Sequence, residues 1–403
     1  MAVKLKMSPI GIADIAKFLL MPAKRNKIID KTPSRAVSAN FPINETAKRL
    51  HPDFQRMLID EIIEHKGADT KSFILKKADG TRAGFFRAGQ YVSVLMNIDG
   101  SIVTRPYSIS SSPKWAADGK VAITVRNNPA DGFAAKYINE KWQKGDEVLI
   151  SGAEGQFYYE PLRDAENVLA LAGGSGITPF LSMAYAIRDG IEDFNLTIIF
   201  GSKTEDGILF KDELDKICSE TSKVKVVHVL SDEKKDGYEN GFITADLIKK
   251  YAPNSEYSVF ICGSEGMYRF LTPEIDKLGL PKKLVRRELL GVTKNVAGCE
   301  GYPKKVNKTY KLTIKQGFQE VTVTAKTNET ILTAIERAGI NAPSRCRSGE
   351  CGWCRSKLVS GKVFCPADNE GRRWADKEND YIHPCATFAL SDVTIEVPGS
   401  YLK

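Results

Sequence analysis

Four cysteines toward the C-terminal end constrain this chain more than any other feature. Cys346, Cys351 and Cys354 stand at the spacing C-x4-C-x2-C, and Cys385 lies 31 positions beyond the third. A loop so spaced wraps a small inorganic core and supplies three thiolates with backbone N–H groups turned toward the sulfurs, while a distant strand end supplies the fourth ligand. Gly349 and Gly352 permit the close backbone approach that this wrapping demands. The spacing is that of a [2Fe–2S] site. A structural zinc site is the rival, but zinc sites commonly pair C-x2-C knuckles, and here only Cys351 with Cys354 makes one. Five of the eight cysteines fall between residues 346 and 385, which points to metal or redox chemistry rather than a disulfide framework. Cys218, Cys262, Cys299 and Cys365 lack cluster spacing, and Cys218 reads as a small buried hydrophobe.

At 403 residues the chain is long for one hydrophobic core, so two or three domains are expected. With 42% hydrophobic and 27% charged residues, it is excluded from the disordered and collagen-like classes. There is no uncharged apolar run of about 18 residues, and Asp14 and Lys17 interrupt the apolar residues that a signal peptide would need, so a cytoplasmic location is expected. The formal charge is +8, and nearly all of the excess lies in residues 1–50, where ten Lys or Arg face only Asp14, Asp30 and Glu45. No nucleic-acid partner is expected.

Residues 1–55 read as a basic N-terminal extension. Ile10, Ile12, Ile15, Phe18, Leu19 and Leu20, followed by Lys24, Arg25 and Lys27, fit a short basic amphipathic helix, and residues 31–47, rich in Ser, Thr, Pro and Asn, read as a connecting loop. From 56 to 160, short β-prone runs separated by turn residues predict an antiparallel barrel. From 161 to 288, the apolar strands Val168–Ala172, Leu196–Phe200, Lys225–Leu230 and Tyr257–Cys262 each precede a helical pattern, which predicts a parallel α/β sheet. A linker over 289–308 leads to a third unit, 309–403, with two alternating strands, a helix from Thr330 to Ala338 and then the cysteine loop.

This last unit resembles a plant-type ferredoxin domain, of the α+β β-grasp kind found at the C-terminus of oxygenase reductases. The likeness extends to Arg372, Arg373, Ala375 and Asp376, to Tyr381–Cys385, and to Ser391, Asp392 and Val393–Val397. Its 13 basic residues against 11 acidic ones leave it at +2, so docking through a strongly negative ferredoxin face is not expected.

Arg105, Pro106, Tyr107 and Ser108 resemble the R-x-Y-[ST] flavin motif of the ferredoxin–NADP reductase superfamily. A flavin needs a cation for its phosphates, an aromatic face against its ring and a small hydroxyl at its reactive edge, and the resemblance gives these roles to Arg105, Tyr107 and Ser108. Alone, the four residues would equally be an edge strand with an outward Arg. Two further elements match the same barrel. Ala88–Tyr91 resembles P-G-Q-Y/F, and Gly132, Phe133, Ala134 and Ala135 stand where the family has its G-x-x-S pyrophosphate loop, with Ala135 in place of Ser so that only backbone N–H donors are implied.

Gly173–Pro179 directly follows an apolar strand and matches the superfamily's G-x-G-x-T-P loop through Gly174, Ser175, Gly176, Thr178 and Pro179, which implies a pyrophosphate cradle. Cys262–Met267 resembles C-G-P-x-x-M, with Ser264 for Pro; by that resemblance Cys262 sits beside the nicotinamide with Gly263 next to it. A buried strand-end thiol is the bland alternative for Cys262. Relatives that use NADPH often place Arg after Ser at the end of the third strand, whereas Ser231 is followed here by Asp232 and Glu233, which repel a phosphate dianion and accept ribose hydroxyls. NADH is therefore the expected donor.

The resemblance implies an oxidoreductase that passes electrons from NADH through a flavin to a [2Fe–2S] cluster and then singly to a redox partner such as a terminal oxygenase. FAD is implied by the commonest form of the barrel, and FMN is the alternative. Reductive activation of a corrinoid or other redox protein is a second reading. A third is a redox sensor tethered to an anionic membrane surface or an acidic partner by the basic extension, against which stands the reading that residues 1–55 wrap the barrel with a solvated face.

Overall fold

The computed structural model describes residues 9–32, 41–127, 132–288 and 291–399. It divides into two units, residues 1–47 and 48–403. The first contains helix α1 (Pro9–Lys31), which runs through Pro22, and most of α2 (Pro42–Leu50). The connector predicted over 31–47 is therefore partly helical. Pro42 supplies a preset φ at the first helical position, Glu45 lies in the first turn, and Lys48 and Arg49 lie in the last, all favourable to the helix dipole. Residues 33–40 of that connector lie outside the described residues, as do 289 and 290 of the linker.

The second unit begins with an antiparallel sheet of β1 (Phe54–His65), β2 (Thr70–Lys77), β3 (Tyr91–Ile98), β4 (Ser101–Ser108), β5 (Lys120–Arg126) and β6 (Glu147–Ser151), in the order β4-β3-β6-β1-β2-β5. The first half of β1 alternates, with Gln55, Met57 and Ile59 buried and Arg56 and Leu58 exposed, so one face fills the interior. A bridge between Ile109 and Ile123 joins the two edge strands and closes the sheet into a barrel. Helix α3 (Phe133–Lys141) seals it with Ala134, Ala135 and Ile138.

A parallel sheet follows, made of β7 (Asn167–Gly173), β8 (Asn195–Ser202), β9 (Val224–Leu230), β10 (Glu239–Asn240), β11 (Tyr257–Cys262) and β12 (Val285–Arg287), in the order β10-β9-β8-β7-β11-β12. Val168–Ala172 is buried throughout because helices cover both faces: α4 (Thr178–Arg188) and α5 (Lys211–Glu220) share one core, α6 (Ala245–Tyr251) and α7 (Glu265–Asp276) the other. The chain builds outward from β7 on one side and returns through β11 on the other, so the topological switch falls between these strands. There β7 ends in the glycine loop and β11 in Cys262, with Ala172 the register partner of Cys262.

The third part is a five-stranded sheet of β13 (Thr309–Gln316), β14 (Gln319–Lys326), β15 (Ser356–Ser360), β17 (Tyr381–Ile382) and β19 (Val393–Glu396), in the order β14-β13-β19-β15-β17, with β16 (Val363–Phe364) and β18 (Phe388–Ala389) paired beside it. Helix α8 (Ile331–Arg337) begins at Thr330, whose hydroxyl accepts the Thr333 N–H, and packs Ile331, Ala334 and Ile335 on Leu312, Ile314 and Ile395. The cysteine loop and α9 (Trp374–Glu378) lie between this helix and the last strands.

Candidate functional site

Cys346, Cys351 and Cys354 lie on the loop between α8 and β15, and Cys385 lies in the short turn before β18. Cys346, Cys354 and Cys385 are buried and Cys351 is partly exposed. The thiols of Cys351 and Cys385 lie close enough to that of Cys346 to bias its ionisation. Donation from Cys351 and Cys385 favours the thiolate at Cys346, whose sulfur also accepts the N–H groups of Ser348 and Cys351, each at 3.4 Å. Gly349 has φ +88°, and a Cβ there would come within 2.2 Å of the Asn369 carbonyl oxygen. A side chain is thus excluded from the inner side of the loop. Three buried thiols and one partly exposed thiol, with backbone N–H groups directed at the first of them, are a donor set that suits a [2Fe–2S] cluster.

The flavin motif lies on β4. Tyr107 and Ser108 are the register partners of Val92 and Tyr91 on β3, and Ser108 is buried. The Arg105 guanidinium sits over the Phe133 ring at 5.4 Å, which brings the motif's cation to the start of α3. Gly132 there has φ +96° and brings no capping side chain, so among the described residues the first N–H groups, those of Phe133, Ala134 and Ala135, have no side-chain partner. Cation and amide donors converge as a flavin's phosphates require. Arg105 also lies 3.6 Å from Glu336 on α8, and burial together with repulsion from Arg347 brings its guanidinium down to about 10.

The dinucleotide loop packs tightly on the end of β11. A Cβ on Gly176 would fall 2.1 Å from the Cys262 carbonyl oxygen, and one on Gly173 or Gly263 would fall 2.4 Å from the Met267 sulfur. Gly174 has φ +53°, and the Thr178 hydroxyl closes the turn on the Ser175 carbonyl at 3.0 Å. Ser264, where the motif has Pro, caps α7 by accepting the Met267 N–H. Burial pushes the Cys262 thiol well up, so it is present as neutral thiol. At the coenzyme-selecting corner, Asp232 accepts the Ser231 hydroxyl at 2.6 Å, while Glu233 is engaged by the Glu205 N–H at 2.8 Å.

Family models agree with this arrangement across most of the chain: an oxidoreductase FAD-binding domain over residues 61–159, an oxidoreductase NAD-binding domain over 170–272 and a 2Fe-2S iron-sulfur cluster binding domain over 314–390. NADH-cytochrome b5 reductase 1 of Candida glabrata is 30% identical over 220 residues, which cover 53% of this chain and 76% of that protein. The chain belongs to the ferredoxin–NAD(P) reductase superfamily. The glycine betaine monooxygenase reductase subunit of Chromohalobacter salexigens is 26% identical over 343 residues, 81% of this chain and 91% of that protein, and so shares the domain order through the ferredoxin module. Phthalate dioxygenase reductase, described as a modular structure for electron transfer from pyridine nucleotides to [2Fe-2S], has the same fold, with a TM-score of 0.60 and 23% identity over 85% of this chain and 98% of that one. This reductase is an NAD(P)H oxidoreductase that works with FAD, NADH and a [2Fe–2S] cluster.

The reductase also carries residues around the site that its motifs did not reveal. Tyr91 pairs with Ser108, and burial, with the Cys346 thiolate next, pushes its hydroxyl far up. Glu288, just after β12, is buried, and its Oε1 has no hydrogen-bond partner among the described residues. Burial, then Glu350 and Cys346, holds its carboxyl well above the usual range. Arg345, next to the first ligand, pairs with Glu154 of the barrel. Only Tyr91 had a local signal, the Gly-Gln-Tyr run before β3.

Proposed function

We propose that this chain is the reductase component of a multicomponent oxygenase, located in the cytoplasm, taking electrons in pairs from NADH and delivering them singly to a terminal oxygenase. The oxygenase reductases among its relatives, which match it over four fifths of its length, support that client. Bound FAD supplies the exchange between the two electrons of a hydride and the single electron that a [2Fe–2S] cluster accepts.

The chain's own residues do the positioning. Gly174, Ser175, Gly176 and Thr178 hold the coenzyme pyrophosphate on backbone N–H groups at the switch between β7 and β11. Cys262 and Gly263 form the floor on which the nicotinamide lies. Ser108 hydrogen-bonds the reactive edge of the flavin, Tyr107 packs on its ring, Pro106 stiffens the strand between them, and Arg105 with the N–H groups of Phe133, Ala134 and Ala135 takes the phosphates. Cys346, Cys351, Cys354 and Cys385 hold the cluster. A cavity of about 300 Å³ beside Cys351, lined by Gly352, Trp353, Arg355 and Pro398, is the exit toward the acceptor. The first unit, which this path does not use, is an attachment element for a surface outside the chain.

One observation carries the reading: Tyr91, the register partner of Ser108 in the flavin motif, holds its hydroxyl 3.5 Å from Glu154, and Glu154 pairs with Arg345 beside the first cysteine of the cluster loop. Anaerobic titration with NADH tests it. Flavin and cluster absorbance should bleach together, and a cluster that stays oxidised while the flavin bleaches refutes the wiring.

A further inference from the structure

Helix α1 is a 23-residue element whose described side chains from residue 13 onward are exposed. Ile15, Phe18, Leu19, Leu20 and Met21 are all exposed, Phe18, Leu19 and Leu20 at 68%, 71% and 68%. At about 100° per residue, Leu19 marks the centre of a broad apolar arc: Ile15 lies about 40° to one side, and Phe18 and Leu20 lie about 100° away on opposite flanks. Lys17, Lys24 and Arg25 project from the other half of the circumference, and Met21 lies among them, about 160° from Leu19. Beyond Arg25 the pattern ends, because Asp30 falls close to the line of Leu19.

An arc this wide is a poor match for a protein groove, which covers a narrow stripe and would leave Phe18 or Leu20 in water. It suits the interface of a bilayer, which bathes half of a helix lying in its plane, with basic side chains reaching back to the headgroups. No helix among the described residues is long and apolar enough to cross a membrane. The charge completes the match. Residues 1–50 hold ten Lys or Arg against three carboxylates, which selects an anionic surface over a neutral one.

We propose that α1 lies in the surface of an anionic phospholipid bilayer, with Leu19 and Ile15 immersed and Lys17, Lys24 and Arg25 among the headgroups. This rests on the reading of the first unit as an attachment element and is independent of which protein accepts the electrons.

The test is co-sedimentation of the full chain with vesicles of phosphatidylcholine alone and of phosphatidylcholine mixed with phosphatidylglycerol. The chain should pellet with the mixed vesicles and be released by salt. Ile15→Glu with Leu19→Glu should abolish pelleting, and reversing Lys17, Lys24 and Arg25 to Glu should weaken partitioning by at least about a hundredfold. Leu19→Trp should add fluorescence that brominated lipid quenches, which reports immersion directly. NADH-dependent cytochrome c reduction without vesicles should match the unaltered chain in every variant; its loss in the unaltered chain would count against the electron path, not the anchor. An unaltered chain that stays in the supernatant with the mixed vesicles overturns the proposal, as does a double-Glu variant that still pellets. So does self-association without lipid binding that the double-Glu variant abolishes, since the occupant would then be a second copy.

Discussion

Arg345, one residue before the first cluster ligand, forms a buried ion pair with Glu154 of the flavin barrel. Its guanidinium lies over the Trp353 ring at 3.8 Å and the Phe54 ring at 5.0 Å, and donates to the Asp53 carbonyl at 3.0 Å. Cluster loop and barrel are thereby fixed in register beside Tyr91, whose hydroxyl is 3.5 Å from Glu154. Glu154→Gln leaves this cation buried without its partner and is expected to cost about 3 kcal/mol. In stopped-flow reduction, flavin bleaching by NADH should keep its rate while cluster bleaching slows several-fold. Arg345→Lys, which keeps the charge but loses the planar fork, should fall between the two. Equal rates of cluster bleaching in all three proteins would show that the clamp does not set the transfer geometry.

A second interdomain contact serves the flavin side. Glu336 on α8 lies between Arg105 at 3.6 Å and Arg347 at 2.6 Å, and its Oε2 has no hydrogen-bond partner among the described residues. Without this carboxylate the two guanidinium groups would repel each other in a poorly solvated space. An anion bound at Arg105 would relieve the same repulsion. Glu336→Gln is therefore expected to destabilise the flavin-free chain more than the loaded one, so that added FAD raises Tm further in the variant than in the unaltered protein. Arg105→Ala should weaken FAD retention by about tenfold or more, read by release on gel filtration. A Tm increment from FAD that is unchanged by Glu336→Gln would remove the coupling.

Coenzyme choice is expected to depend on Asp232 more than on Glu233, because the Glu233 carboxylate accepts the Glu205 N–H. Asp232→Ala should narrow the ratio of kcat/KM for NADH over NADPH by about tenfold, worth about 1.4 kcal/mol, mainly by relieving repulsion of the 2′-phosphate. Glu233→Gln should change that ratio little. A parent protein that favours NADPH would end the argument.

What could be read in the chain was local. The cluster ligands are legible because the geometry needs a set spacing along one loop, and β7, β8 and β11 because a strand covered on both faces must be a continuous apolar run. The helix at Pro42 was hidden by the polar composition of residues 31–47, which hid the Pro and Glu that start it. The interdomain residues had no signal at all. Arg345 and Glu154 are 191 positions apart, and each reads alone as an ordinary surface charge. Glu288 reads as one more polar residue in R-R-E-L-L, and only the fold shows that it is buried with an unpaired oxygen.

His228 on β9 is expected to make the chain sensitive to acid. Neither ring nitrogen has a hydrogen-bond partner, and the ring lies between Phe200 and Tyr238 at centroid distances of 5.9 and 6.0 Å. Burial is the main cause that lowers its pKa below the ordinary 6.5, assisted by Lys211, while Asp215 and Glu205 pull the other way. A His held neutral in the folded state binds its proton first in the unfolded chain. Stability is therefore full above the unfolded value of 6.5 and falls as pH drops from there toward the lower folded value, below which the loss levels off. His228→Phe keeps a ring of similar size and removes the titration. Its urea midpoint should decline less than that of the unaltered protein between about pH 7 and pH 5, with little difference in coenzyme KM at pH 7. Parallel declines in the two proteins would show that the imidazole is solvated in the folded chain.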